Sequence, residues 1–196
     1  MTATMLTARP ALASEFDTVL ALCLEAFADE AVTAWVVPDS GARLAATREL
    51  LAASLAAAIA AEAVVVAFTC HSEAIAASIW IDMDETSKDT EFPAGNDRLT
   101  QRLTTVKSLT AARHPKVPHI YLASMGTIPQ RRGVGAGTAM LRHGLDRARR
   151  LGLPVYLEAS TPLNRKLYAR HGFADHGAPI QLPEGGPALQ PMWHSA

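Results

Sequence analysis

The sequence predicts a single α+β domain built in three layers, with helices on both faces of a central sheet. Three observations predict it. Apolar residues at helical spacing alternate with short β-branched runs along the chain. Helices and strands are mixed in the first half, and the second half reads β-α-β-α-β. Neither an internal repeat nor an inter-domain linker interrupts the 196 residues, a length that buries about 70% of the surface of the unfolded chain.

Residues 5–9 read as a first short strand ending at Pro10. Ser14 sits where an N-cap belongs, and Phe16, Val19, Leu20, Cys23, Ala26 and Phe27 share one face of the helix that follows. A second helix spans about 40–60, with Leu44, Leu51, Leu55 and Ala58 at helical spacing. After a turn at Ala61 and Glu62, two strands are expected near 63–69 and 74–81. Their four-residue hairpin connection lacks the usual Gly or Asn. Residues 82–97 are polar and irregular, as in a loop. A helix carrying Leu99, Leu103, Val106 and Leu109 then ends before His114 and Pro115. Residues 118–125 read as a strand, and a glycine-rich turn at 133–137 opens a helix carrying Met140, Leu141, Leu145 and Ala148. Residues 154–157 form the next strand. Thr161 caps a helix with Pro162 at its first position, and Gly172 closes it. Two final strands flank a turn at Glu184, Gly185 and Gly186.

Composition excludes several classes of function. A net charge of −1 with 49% apolar residues is not that of a disordered chain. It also offers no general attraction to nucleic acid or to an anionic membrane. Two cysteines cannot staple a secreted module, and Cys23 lies on an apolar helix face, which speaks against an acyl-cysteine intermediate. Residues 50–68 approach membrane-spanning length, yet they are rich in weakly hydrophobic alanine and change from helical to β-branched patterning partway. They read as a helix leading into a core strand. The N-terminus lacks a basic patch followed by an apolar core, so a cytoplasmic protein is expected. The seven histidines show no metal-ligand spacing, and no metal is expected. Alanine dominates, and arginine outnumbers lysine by 14 to 4, a bias suited to a GC-rich bacterial genome.

The densest chemical motif is Gln130-Arg131-Arg132-Gly133-Val134-Gly135-Ala136-Gly137-Thr138, between a strand and an amphipathic helix. Glycines there let backbone amides approach a ligand, and the helix start adds unpaired donors and a positive dipole end. Arg131 and Arg132 add charge to the same rim. The chemistry suits a phosphate or pyrophosphate. A nucleoside-triphosphate loop needs a Gly-Lys-Ser/Thr ending that is missing. A dinucleotide fold gains from Glu158 about twenty residues on, but the glycine spacing differs and too little chain follows for a doubly wound sheet. An acyl-coenzyme A site is the third design.

The rest of the sequence selects that third design. The chain resembles the GCN5-related N-acetyltransferase superfamily, whose Gln/Arg-x-x-Gly-x-Gly/Ala motif is met by Gln130, Gly133 and Gly135. The preceding strand matches Tyr121 to Thr127. The downstream signature matches Leu157-Glu158-Ala159-Ser160, Asn164, Leu167-Tyr168 and Gly172-Phe173. Within the superfamily the layout most resembles the puromycin-type acetyltransferases, through Ala26-Phe27-Ala28-Asp29, His114-Pro115-Lys116 and the Glu184 turn. The resemblance implies a mixed, mainly antiparallel sheet splayed between two strands at the acyl-CoA site, with acetyl-CoA as cosubstrate.

The resemblance also implies roles. The backbone of Met125, Gly126 and Thr127 would pair with the pantetheine arm like an added strand, and the Met125 amide would polarise the thioester carbonyl. Amides of Arg132, Gly133, Val134, Gly135, Ala136, Gly137 and Thr138 would hold the pyrophosphate. Tyr168, on one helix face with Asn164, would protonate the departing thiolate while Asn164 binds the cofactor. For the base that deprotonates the acceptor amine, Glu158 is the first candidate, ahead of His119, Tyr121, Asp29 and Glu30. Each residue has a plainer alternative in turn chemistry, packing or a solvated charged face.

The expectation is therefore one catalytic domain, with residues 1–118 on the acceptor side and 119–196 binding acetyl-CoA. It transfers acetyl to a small-molecule amine by direct attack, without nucleic acid or membrane as partner. The alternatives are a protein N-terminus or lysine as acceptor, or a non-catalytic acyl-CoA-binding module. A homodimer is a family-level expectation that no sequence feature selects.

Overall fold

The computed structural model describes residues 6–84 and 95–196. Its elements are β1 (Thr7–Pro10), α1 (Phe16–Ala26), α2 (Ala31–Val36), α3 (Ser40–Ala60), β2 (Val64–Phe68), β3 (Ala74–Met83), α4 (Arg98–Ala111) and β4 (His119–Thr127). There follow α5 (Ala136–Leu151), β5 (Val155–Ala159), α6 (Pro162–Arg170), β6 (Ala174–Asp175), β7 (Ile180–Gln181) and β8 (Ala188–His194). The open sheet has the order β1-β2-β3-β4-β5-β8-β6, with β7 paired to β8. Every pairing is antiparallel except β4 with β5. This is the mixed, mainly antiparallel α+β sheet expected.

Strand alternation makes the two layers around the sheet. In β2, Val64 and Val66 pack with α1 and with Leu55 and Ile59 of α3, whereas Val65 and Ala67 join Met140, Leu141 and Leu145 of α5 on the opposite face. Each fully buried Val or Leu of this kind contributes roughly 1.5–3 kcal/mol. Trp80 of β3 lies against Gly144, where a Cβ would come within 2.2 Å of the indole, so α5 sits on the sheet only because position 144 has no side chain. The Trp80 indole donates to Ser78 Oγ at 2.9 Å, which satisfies both buried polar groups.

Several local expectations are corrected. Ser14 is not the cap of α1, because it lies inside a 3-10 turn, Ala13–Glu15. The Glu15 carboxylate instead accepts the Leu12 amide at 2.8 Å and pairs with Arg9, which holds its pKa down at about 2. Helix α2 was not expected, since its six residues show no helical period. Glu30 starts it by accepting the Thr33 amide at 2.9 Å. Leu44 is 58% exposed rather than core. The β2–β3 hairpin turns without glycine by placing Ser72 at φ +61°. The two strands expected around the Glu184 turn are β7 and β8, and β6 is an additional short strand ahead of them. Of the loop expected at 82–97, residues 85–94 lie outside the described residues, while β3 runs on to Met83. No helix among the described residues is long and apolar enough to cross a membrane.

Candidate active site

The site begins where the sheet splits. β4 and β5 pair at only two positions, Ile120 with Val155 and Tyr121 with Tyr156, and beyond them the strands diverge. Divergence leaves the β5-facing edge of β4 without a strand partner from Leu122 onward. On its other edge, β4 meets β3 with a bulge. Leu122 faces Trp80 and Ser124 faces Ile79, so Ala123 is the extra residue. The bulge breaks the two-residue alternation, and Tyr121, Leu122, Ala123, Ser124 and Met125 all line the cleft that opens between the strands.

This cleft has a volume of about 270 Å³. Phe27, Val32, Leu51, Val106 and Leu189 give it apolar walls, and Thr33, Thr47, Thr110 and Ser160 give it hydroxyls. Two carboxylates reach it, Glu30 and Glu158, and among the described residues that line it none is a lysine or arginine. The Glu158 side chain is 5% exposed. The Tyr121 hydroxyl donates to its Oε2 at 2.8 Å, and His114 Nε2 stands 3.7 Å from its Oε1. Burial raises the Glu158 pKa against the opposing effect of the phenol. Tyr156 is buried beside it, with its hydroxyl outside hydrogen-bonding geometry. His114 packs edge-on to Tyr121 at 4.5 Å and lies 4.8 Å from Tyr156.

On the other wall stand Asn164 and Tyr168, one helical turn apart on α6 and both facing the cleft. Thr161 and Pro162 start that helix as expected, with the Thr161 hydroxyl accepting the Asn164 amide at 3.1 Å. Tyr168 is buried against Phe173, and burial together with the charge of Glu30 raises its phenol pKa.

The glycine turn lies outside the cleft, at the start of α5. Gly133 and Gly135 have φ of +84° and +97°, which only glycine adopts without strain, and no side chain caps the helix. The first-turn amides of α5 are therefore left to accept an anion. These open amides, together with the unpaired edge of β4, fit a pyrophosphate and a pantetheine arm respectively. Arg131 corrects the expectation of a doubly basic rim: it pairs with Glu73 of the β2–β3 turn at 2.6 Å. Arg132 remains near the turn, 3.3 Å from the Thr127 carbonyl and 4.0 Å from Asp29.

The structure brings Met125, Glu158, Asn164 and Tyr168 into one cleft, with Tyr121 and Glu30 beside them. Two other base candidates do not line the cleft. His119 is buried beside His114 and Tyr156, with Nδ1 2.8 Å from the Val117 carbonyl, and Asp29 is an exposed partner of Arg132. His114 is the site residue absent from the sequence candidates, where it enters only as a helix end, in His114-Pro115-Lys116 and among histidines without metal-ligand spacing. Among the described residues no group of His, Cys, Asp and Glu is placed to hold a metal ion. Cys23 is buried with its thiol pushed up to about 12, which suits core packing.

A sheet split over a carboxylate and a phenol, next to a bare helix start, has room and donors for an acyl-CoA. Residues 102–173 match the acetyltransferase (GNAT) family model. A solved structure described as histone acetyltransferase HPA2 and related acetyltransferase, from Corynebacterium glutamicum, is 29% identical, with a TM-score of 0.70 over 97% of each chain. An agmatine N-acetyltransferase at 15% identity shares the fold with a TM-score of 0.73, over 97% of this chain and 99% of that one. So does the PaiA N-acetyltransferase of Thermoplasma acidophilum in complex with coenzyme A, at 10% identity and a TM-score of 0.62, over 98% and 99%. The chain thus carries the acetyltransferase (GNAT) match over residues 102–173 and has the fold of the N-acetyltransferases, enzymes that use acetyl-CoA as cosubstrate.

Proposed function

We propose that the protein acetylates the primary amine of a small molecule by direct attack on acetyl-CoA in a ternary complex. The observation that carries this reading is the meeting of Glu158 and Tyr168 in one cleft of about 270 Å³ beside the unpaired edge of β4. A cleft of that volume suits a compact acceptor. Two carboxylates without a lining lysine or arginine among the described residues favour a cation. The agmatine N-acetyltransferase of the same fold is compatible with such an acceptor.

An alkylammonium has a pKa near ~10.4 and must lose a proton before it attacks. Glu158 takes that proton. Burial makes it a stronger base than a solvated carboxylate, and Tyr121 fixes Oε2 while Oε1, beside His114, is left without a hydrogen bond and can take the proton. The Met125 amide polarises the thioester carbonyl, and the backbone of Met125, Gly126 and Thr127 holds the pantetheine arm. Amides of Arg132 to Thr138, the Gly133, Val134, Gly135, Ala136 and Gly137 turn included, hold the pyrophosphate, and Asn164 contacts the cofactor. Tyr168 stays neutral because burial raises its phenol, so it serves the leaving thiolate as a hydrogen-bond donor that shares its proton. Cys23 is absent from the cleft and poorly ionised, which favours direct transfer over an acyl-enzyme.

Thiol release from acetyl-CoA, followed with agmatine, spermidine, 2-phenylethylamine and a peptide with a free N-terminus, tests the reading. At least one small amine is expected to accelerate release well beyond hydrolysis. Acceleration by the peptide alone would replace it with a protein acceptor. Binding of acetyl-CoA without any acceleration would remove it.

A further inference from the structure

The turn formed by Glu184, Gly185 and Gly186 takes no part in the chemistry, yet its backbone is under unusual demand. Glu184 has φ +52° and Gly185 φ +71°, and the former is a left-handed conformation that a residue with a Cβ rarely adopts. A Cβ at Gly186 would stand 2.7 Å from the Trp35 indole nitrogen, so the turn and α2 touch only because that position is glycine.

The strained turn ends in a three-way junction. The Glu184 carboxylate accepts from Arg102 at 2.8 Å and from Arg98 at 3.0 Å, both on α4. The buried Arg102 guanidinium also donates to the Trp35 carbonyl and lies 4.8 Å from the centre of the Trp35 ring. In return, the Trp35 indole donates to the Pro183 carbonyl at 3.1 Å. One carboxylate, one guanidinium and one indole thus join α2, α4 and the β7–β8 turn.

Helical spacing connects this junction to the cleft. Val106 lies one turn beyond Arg102 on α4, and Val32 lies one turn before Trp35 on α2. Both valines line the acceptor cleft, as does Leu189, the second residue of β8 after the turn. Apolar burial does little to fix these two helices. The one buried residue of α4 is Arg102 itself, and the one of α2 is Val36. A surface helix ordinarily gains its stability from a buried apolar face, and here a polar junction stands in for it.

We propose that the Glu184, Arg102 and Trp35 junction sets the acceptor site by holding α2 and α4 at the separation that admits the amine. Arg102 and Glu184 are then positioning residues for acceptor affinity, an inference that rests on the small-amine reading only for the identity of the acceptor. Trp35, Arg102 and Glu184 belong neither to the glycine turn nor to β4 and do not line the cleft themselves, so acetyl-CoA binding is expected to be independent of them.

Glu184→Ala, Arg102→Lys and Arg102→Met test this in two ways. Hydrogen exchange of the free protein needs no acceptor. Amides of α2 and α4 are expected to exchange at least 10-fold faster in Glu184→Ala and Arg102→Met, with β4 and α5 unchanged. In steady state, with the best amine of the panel, the acceptor KM is expected to rise 10-fold or more. The acetyl-CoA KM stays within 2-fold, kcat changes less than 3-fold, and Arg102→Lys recovers part of the loss. Unchanged exchange, or KM values that rise together for both substrates, would overturn the proposal. Failure of the wild-type protein to acetylate any amine would instead strike the small-amine reading, while exchange still decides the junction.

Discussion

The Tyr121 hydroxyl donates a 2.8 Å hydrogen bond to Glu158 across the last point at which β4 and β5 are still close. Tyr121 occupies the final paired position of β4, and Glu158 lies two residues past the final paired position of β5. The bond therefore spans the fork of the sheet, and it fixes one carboxylate oxygen while the other, also buried, stands 3.7 Å from His114 Nε2. A buried carboxylate held in this way keeps its orientation through the approach of a cationic acceptor.

Replacing Glu158 with Gln preserves shape and removes the base. Turnover with the acceptor is expected to fall about 10²–10³-fold, in the range of a lost general base, with coenzyme A affinity within a few-fold of wild type. Steady-state rates and calorimetric binding of coenzyme A check both halves. Wild-type rates rise with pH through the elevated Glu158 pKa as the carboxylate ionises, and the Gln variant loses that limb. A variant with near-normal turnover would take Glu158 out of the base role.

Tyr168→Phe removes a hydroxyl from a buried ring that still packs on Phe173. Turnover is expected to drop roughly 10–100-fold while coenzyme A affinity and melting temperature hardly move, because the lost interaction forms with the departing thiolate. Unchanged turnover would leave Tyr168 as a packing residue only.

Much of this was legible in the sequence because it lies in local patterns. The glycine turn, the Thr161 cap with Pro162, and the Asn164 to Tyr168 spacing are each set by short-range chemistry, and the structure places all of them as read. What was hidden depends on distant partners. The Arg131 side chain finds Glu73, 58 positions away in the chain, so a rim that looked doubly basic is half neutralised. His114 comes within 3.7 Å of Glu158 only because the connection from α4 folds over the fork. The bulge at Ala123, which exposes consecutive residues of β4 to the cleft, has no local mark at all. Helix α2 escaped for the same reason, since a carboxylate cap and a remote junction hold its six residues rather than a periodic apolar face.

Gly135→Val separates cofactor binding from simple strain. At φ +97° a β-branched residue costs on the order of 1–3 kcal/mol and disturbs the amides at the start of α5. Coenzyme A affinity, measured by calorimetry, is expected to weaken by about tenfold or more. Gly152→Ala is the control, because Gly152 ends the same helix at φ +64° with nothing within 4 Å. It should lower the melting temperature without touching affinity, and equal effects on affinity from both variants would remove the pyrophosphate from the turn.

Glu158 also ties stability to pH, with a sign opposite to that of a salt-bridged carboxylate. Its pKa in the folded protein is raised above the unfolded value of 4.5, so the native state holds its proton more tightly than the unfolded chain does. The resulting stabilisation is fully present below the unfolded pKa and is lost as pH rises through the folded one, where an ionised carboxylate must stay buried. Glu158→Gln removes that dependence. The variant should therefore melt higher than wild type at pH 8, and the gap should close towards pH 4.5, with the Tyr121 hydroxyl still bonded to the amide oxygen. Thermal melts of both proteins across that window measure the difference. A gap that stays constant or widens on acidification would show that the carboxylate is not being held against its solvation.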